Sequence, residues 1–250
     1  AHYDDEAFNE DRDAVLRSLA EHGIEAVVNV GASIQTTKNT LELMKKYPFV
    51  YGAVGVHPSE TAELNDHLFD WLRHVSEEEK VVAIGEIGLD LYWDKTFLRE
   101  QLLAFEKQVE WALEYHLPIV IHTREAFDYI YKVLQPYKET GLTGIFHSFT
   151  GTSEEAAKLL DFPGFMIGIN GVVTFKKSQL PEVLKDVPLA HIVLETDSPY
   201  LTPVPNRGKR NESARLKDTL IKVAEIYRES PEVVAEATSE NALKVFGMGK

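Results

Sequence analysis

Short β-branched runs alternate with longer stretches of helical period along the whole chain. The apolar runs cover residues 26–30, 49–56, 81–87, 118–121, 143–146, 165–169 and 191–195. Between them apolar positions recur every three or four residues, as in Leu98, Leu102, Phe105, Val109 and Leu113, which would share one helix face. A further helix is expected over residues 11–21, before the first run, and another over 216–227, after the last. A third should start at Ser230, with serine at the cap and Pro231 in the first turn. Strands alternating with helices in this way predict repeated βα units and a parallel sheet.

Seven runs with a helix before the first and after the last make eight βα units if one more strand precedes Ala1, and eight parallel strands close a barrel. The expected fold is therefore an α/β TIM (β/α)8 barrel, one domain over residues 1–250, with its first strand truncated. Ala1-His2-Tyr3-Asp4 reads as the loop leaving a strand end, so roughly 5 to 8 upstream residues are expected, about one strand. An open seven-stranded sheet is the simpler alternative. The chain shows no linker, low-complexity tract or short-period repeat.

Composition narrows the class. Of 250 residues, 44% are hydrophobic and 26% charged, as in a folded globular protein. No apolar stretch reaches the roughly 18 to 20 residues a membrane span needs, and the first residues form neither a basic nor an apolar signal region, so a cytoplasmic protein is expected. Zero cysteines exclude disulfides, thiolate ligands and a cysteine nucleophile. Any metal would have to be held by histidine and carboxylate. With 26 Lys plus Arg against 40 Asp plus Glu the net charge is -14, so the protein as a whole repels polyanions. A nucleic-acid role would need a local basic patch. One runs through Arg207, Lys209, Arg210, Arg215 and Lys217, opposed only by Glu212; Lys176 and Lys177 make a smaller one.

The residues with metal or acid–base chemistry gather at run ends. His57 follows 49–56, Glu86 lies in 81–87, His122 follows 118–121, His147 follows 143–146 and Asp197 follows 191–195, while His2 would follow the inferred first strand. In a barrel all these ends meet on one rim, where the βα loops of such enzymes build the active site. His116 and His191 precede strands, and His22, His67 and His74 fall in helical or loop stretches, so these five are expected to be structural or solvated. Taken singly, a strand-end histidine could bond a backbone carbonyl, Glu86 could be a buried ion-pair partner and Asp197 could cap a turn. Taken together, carboxylates buried beside several imidazoles are costly unless a cation neutralises them. Such donors suit Zn²⁺, Mn²⁺, Fe²⁺, Co²⁺ or Ni²⁺, with Mg²⁺ where oxygen dominates. A carboxylate can bridge two ions about 3.5 to 4 Å apart. Glu86 is the natural bridge; His122 and His147 would hold one ion, and His2, an upstream histidine and Asp197 the other. Asp197 could also take the proton of an attacking water.

Six ordered motifs now carry a resemblance: Val56-His57-Pro58, Gly85-Glu86-Ile87-Gly88-Leu89-Asp90, Ile121-His122-Thr123-Arg124-Glu125, Phe146-His147-Ser148-Phe149-Thr150-Gly151, Glu195-Thr196-Asp197-Ser198-Pro199 and Arg207-Gly208-Lys209-Arg210-Asn211-Glu212. Together they resemble the TatD-like deoxyribonucleases, metal-dependent hydrolases on a TIM barrel, over essentially the whole chain. The resemblance implies DNA hydrolysis that depends on divalent metal (Mg, Mn or Zn, two ions), exonucleolytic and cytoplasmic. It implies His2, Glu86, His122, His147 and Asp197 as metal ligands, with Asp197, Glu86 and His57 in catalysis and His57 touching substrate or phosphate. The family's opening His-Xaa-His is represented only by Ala1-His2, and Ser213 stands where the family usually has proline, a change expected to touch only local loop rigidity.

An exonuclease grips a strand end, so a few cations at the rim suffice. Arg124, Arg207, Lys209 and Arg210 are candidate phosphate contacts. Phe149, Tyr92 and Trp93 could stack on splayed bases, or pack within the protein. The expected partner is the end of single-stranded DNA, with no membrane and no stable protein partner. The competing readings are an amidase or esterase of amidohydrolase type, such as a lactonase or aminoacyl-tRNA deacylase, and a barrel kept only as a binding scaffold.

Overall fold

β-Branched, apolar residues buried on both faces build a parallel sheet, because no side of such a strand meets water. The computed structural model describes residues 1–93 and 95–248. Its strands are β1 (Val27–Val30), β2 (Val50–Val54), β3 (Val81–Asp90), β4 (Ile119–Arg124), β5 (Gly144–Phe146), β6 (Phe165–Ile169) and β7 (Ile192–Leu194), paired in that order. Every pairing is parallel. Nine α-helices among the described residues accompany them: α1 (Arg12–Ser18), α2 (Ile34–Lys46), α3 (Asp66–Val75), α4 (Leu98–Glu114), α5 (Phe127–Leu134), α6 (Ser153–Leu160), α7 (Leu180–Val183), α8 (Leu216–Tyr227) and α9 (Pro231–Phe246). Capping fixes several starts: Ser33 and Thr152 form capping boxes, and Ser230 accepts from Val233 N ahead of Pro231.

The sheet curls into a barrel of the TIM type. Laid flat, six steps of about 4.8 Å would separate β1 from β7 by about 29 Å. Instead Ala1 and His2 bridge the two edges, with Val30 N on Ala1 O at 2.9 Å and His2 N on Ser198 O at 2.7 Å.

Residues of alternate parity face opposite ways along each strand. Ala53, Ala83 and Val120, with Val28 and Val30, form one interior group; Ile145, Met166 and Val193 form another, and Phe246 at the end of α9 packs against both. The outward parity, including Val50, Ile84, Ile119 and Ile167, joins the large core with Leu16, Phe105, Val109 and Ile130 of the helices. His122, His147 and Glu195 lie two residues beyond Val120, Ile145 and Val193. The same alternation that fills the barrel therefore turns them inward at its mouth.

Several elements differ from their expected limits. The strands expected at 81–87 and 118–121 extend to Asp90 and Arg124, because Gly88, Leu89 and Asp90 go on pairing with His122, Thr123 and Arg124. Polar residues at the mouth interrupt the apolar pattern without ending the ladder, so His122 lies inside its strand. The helix expected over 11–21 is α1 followed by a 3-10 turn, Leu19–His22, which Gly23 ends at φ 75°. His191 closes a 3-10 turn and does not open β7.

Candidate metal centre

Glu86 reaches the mouth through an irregularity. Alternation from the interior Ala83 would point Glu86 outward, but the β3–β4 register shifts between Ile84 and Ile87. The extra residue re-aims the carboxylate inward, a use of bulges common beside active sites. Glu86 Oε1 lies 2.8 Å from His122 Nδ1, 3.7 Å from His57 Nε2 and 3.8 Å from His147 Nε2. Asp197 Oδ1 lies 3.3 Å from His2 Nε2 and 3.7 Å from His147 Nε2. His147 thus stands between the two carboxylates, and the residues expected as ligands are brought together from both sheet edges. Asp197 takes the left-handed conformation at φ 57°, which an aspartate tolerates better than most residues.

Two further carboxylates complete the cluster, and reasoning from run ends missed both. Asp90 Oδ2 is 3.0 Å from His122 Nε2, and Glu195 Oε2 is 2.9 Å from His147 Nδ1. Glu195 Oε1 also accepts from Ser148 N at 2.7 Å and Asn170 Nδ2 at 3.3 Å. Both lie within the quoted motifs, and strand parity relative to Glu86 and Val193 was the signal that could have found them.

The arrangement fits a divalent cation on the chemistry of its donors. His147 bonds Glu195 through Nδ1, and His2 bonds Val30 O through Nδ1 at 2.9 Å, so each turns Nε2 inward. A carboxylate or carbonyl on the outer nitrogen is what orients a ligating imidazole. Burial would lower the pKa of His122, but a carboxylate beside each nitrogen raises it; a cation bound by His122 would replace a proton on one nitrogen. Burial opposes charge on His147, but Glu195, Glu86 and Asp197 outweigh it and raise its pKa to about 10. Burial likewise opposes ionisation of Glu86, and His147, the hydrogen bond from His122, and His57 overcome it, holding the carboxyl well below the usual range. The pocket therefore attracts positive charge strongly.

His57 differs from the other imidazoles. Its inward nitrogen is close enough to join a metal group with Glu86 and His122, whose candidate ligand atoms lie within 4.8 Å of one another. Its Nδ1, however, is turned away from the mouth, 2.8 Å from Ser59 Oγ and 3.1 Å from Ser59 N. Burial, the leading cause, lowers its pKa to about 4, so the ring is neutral at neutral pH. Nε2, 3.7 Å from Glu86 Oε1, is the nitrogen that His57 presents to the mouth.

The cationic and aromatic candidates divide. Arg124, Arg207 and Lys209 are exposed, and among the described residues none of them forms an ion pair. The Arg124 guanidinium lies 3.8 Å over Tyr92, and that of Arg207 3.8 Å over Phe175. Arg210 is not available to a phosphate: it clamps both oxygens of Asp11 at 2.7 Å, bonds Glu212 and Ala7 O, and covers Phe8. Phe149 offers no stacking face, being 4% exposed in the core; Ser148, at φ 48°, turns the chain back inward before it. His22, His67, His74 and His116 are exposed, and His191 reaches the Phe165 carbonyl. Ser213 does more than loosen a loop. Its N–H donates to Tyr3 Oη at 2.9 Å and its Oγ accepts from Tyr3 at 2.8 Å, ties that bind the segment carrying His2 to the last βα loop and neither of which proline could make.

Comparison with known proteins places this geometry. A model of the "TatD related DNase" family matches residues 1–247. The uncharacterized metal-dependent hydrolase YabD of Bacillus subtilis (strain 168) is 36% identical, over 98% of this chain and 96% of its own length. The "3'-5' ssDNA/RNA exonuclease TatD" of Pantoea ananatis is 33% identical over 96% of this chain and 95% of its own. The crystal structure of YJJV, a TatD homolog from Escherichia coli K12, superposes with a TM-score of 0.92 at 28% identity, covering 99% of this chain and 96% of that one. The fold, the inward-facing histidines and carboxylates, and these relatives agree: the chain belongs to the TatD related DNase family of metal-dependent hydrolases.

Proposed function

We propose that this protein removes nucleotides from the ends of single-stranded DNA by hydrolysing phosphodiester bonds with two divalent ions. The observation that carries this reading is the pairing of a carboxylate-rich metal pocket with cations that form no ion pair among the described residues, Arg124 at the end of β4 and Arg207 and Lys209 on the loop after β7, in a protein whose net charge is -14. A small amide or lactone substrate has no need of those cations, whereas phosphates do. The exonuclease name of the Pantoea relative supports the same substrate class. No helix among the described residues is long and apolar enough to cross a membrane.

The ions would be held by His122 and His147 on one side and by His2 and Asp197 on the other, with Glu86 between; when bound they would supply Lewis acidity and lower the pKa of water. Asp197 accepts at Oδ1 the proton that the attacking water loses. His57 donates from Nε2 to a non-bridging phosphate oxygen. Asp90 and Glu195 orient His122 and His147. Arg124, Arg207 and Lys209 hold flanking phosphates.

The test is degradation of end-labelled single-stranded and duplex oligonucleotides by the whole protein. Single strands are expected to shorten stepwise with Mg²⁺ or Mn²⁺, and excess EDTA to abolish the reaction reversibly. Undiminished cleavage in EDTA, or intact strands with metal present, would overturn the reading. His57→Ala separates donor from ligand: its kcat/KM should fall about a hundredfold, the effect of losing one charge-stabilising donor, with bound metal unchanged by elemental analysis. Loss of a metal equivalent would instead make His57 a ligand.

A further inference from the structure

Trp93 is the most exposed large apolar side chain among the described residues at 78%, and Tyr92 beside it is 48% exposed. The two rings meet edge to face, with centroids 4.7 Å apart at 89°. Arg124 joins them, its guanidinium 3.8 Å from the Tyr92 centroid and 5.5 Å from that of Trp93, and among the described residues it forms no ion pair. One exposed aromatic residue needs no explanation. Two rings and an exposed guanidinium gathered into one surface do.

This surface is fastened to the metal pocket. One oxygen of Asp90 faces His122 Nε2 at 3.0 Å while the other accepts from Tyr92 N at 3.0 Å. From α4, Gln101 bonds both backbone groups of Asp90, at 3.0 and 3.1 Å, and Leu91 N donates to Arg124 O at 2.9 Å. The backbone under the two rings is therefore held by the strand end that carries a pocket carboxylate. Aromatic faces take a nucleobase of any sequence, and a guanidinium beside them takes its phosphate. Bases inside a duplex are stacked and paired; those at a single-stranded end are free to leave.

We propose that Tyr92, Trp93 and Arg124 form an anchor for a terminal nucleotide of the single strand, with the base stacked on Trp93 and its phosphate held by Arg124. The inference rests on the nuclease reading above and adds where the strand end is gripped. It makes Trp93 a specificity-determining residue.

The test compares cleavage of an oligonucleotide with that of the same oligonucleotide carrying abasic tetrahydrofuran residues at both ends, by wild type, Trp93→Ala and Trp93→Phe. The wild type should show a KM about tenfold higher on the abasic substrate, the size of one lost stacked base, with kcat little changed. Trp93→Ala should show that raised KM on both substrates, so the two substrates become alike, and Trp93→Phe should restore most of the difference. An equal abasic penalty in wild type and Trp93→Ala, or no penalty in wild type, would overturn the anchor while leaving the nuclease reading intact. A wild type that cleaves neither oligonucleotide with Mg²⁺ or Mn²⁺ would overturn both.

Discussion

Glu86→Gln is expected to abolish measurable hydrolysis and to remove metal while leaving the barrel folded. The substitution keeps the shape of the side chain and deletes the charge that faces His122, His57 and His147. Stabilisation of transition-state charge by bound ions is worth several kcal/mol, and at about 1.4 kcal/mol per decade its loss is about a thousandfold or more in kcat. Metal binding also stabilises the fold, by about 4 kcal/mol at a thousand times Kd. Titration with Mn²⁺ should therefore raise Tm in the wild type and much less in the variant. Wild-type turnover by Glu86→Gln, or an undiminished metal-induced rise in Tm, would remove Glu86 from the centre of the site.

Gly88→Ala should damage both stability and chemistry. Gly88 sits at φ 140° opposite His122, and a Cβ there would lie 2.0 Å from the His122 carbonyl oxygen. No rotamer relieves that contact, because the obstacle is backbone. Strained φ and overpacking together cost about 3 kcal/mol or more, read as a lower midpoint in urea. The same separation of β3 from β4 would pull Asp90 away from His122, so the surviving folded fraction should bind metal weakly. A midpoint within error of wild type would show that the two strands can part without cost.

The parallel sheet and the convergence of His2, His57, His122, His147 and Asp197 were legible because both follow from periodicity: a buried strand is an apolar run, and the run's end marks the mouth. What escaped had physical causes. The one-residue shift in β3 that turns Glu86 inward leaves no mark in a pattern that counts apolar runs. Asp90 and Glu195 lie beyond or at the edge of those runs, so the mouth was assigned histidines without the carboxylates that orient them. Within its own basic stretch Arg210 is opposed only by Glu212; its stronger partner, Asp11, comes from the other end of the chain, and only folding brings the two together. Phe149 follows a ligand-bearing strand just as Tyr92 does; the left-handed turn at Ser148 sends it into the core, whereas Tyr92 and Trp93 stay in water.

The most direct test of the whole account is anomalous diffraction from crystals of the complete chain grown with Mn²⁺. The expected result is two peaks in the mouth, sharing the Glu86 carboxylate, one beside His122 and His147 and the other beside His2 and Asp197, with His57 outside both coordination spheres. Manganese bound elsewhere on the molecule with the mouth free of it would contradict the account.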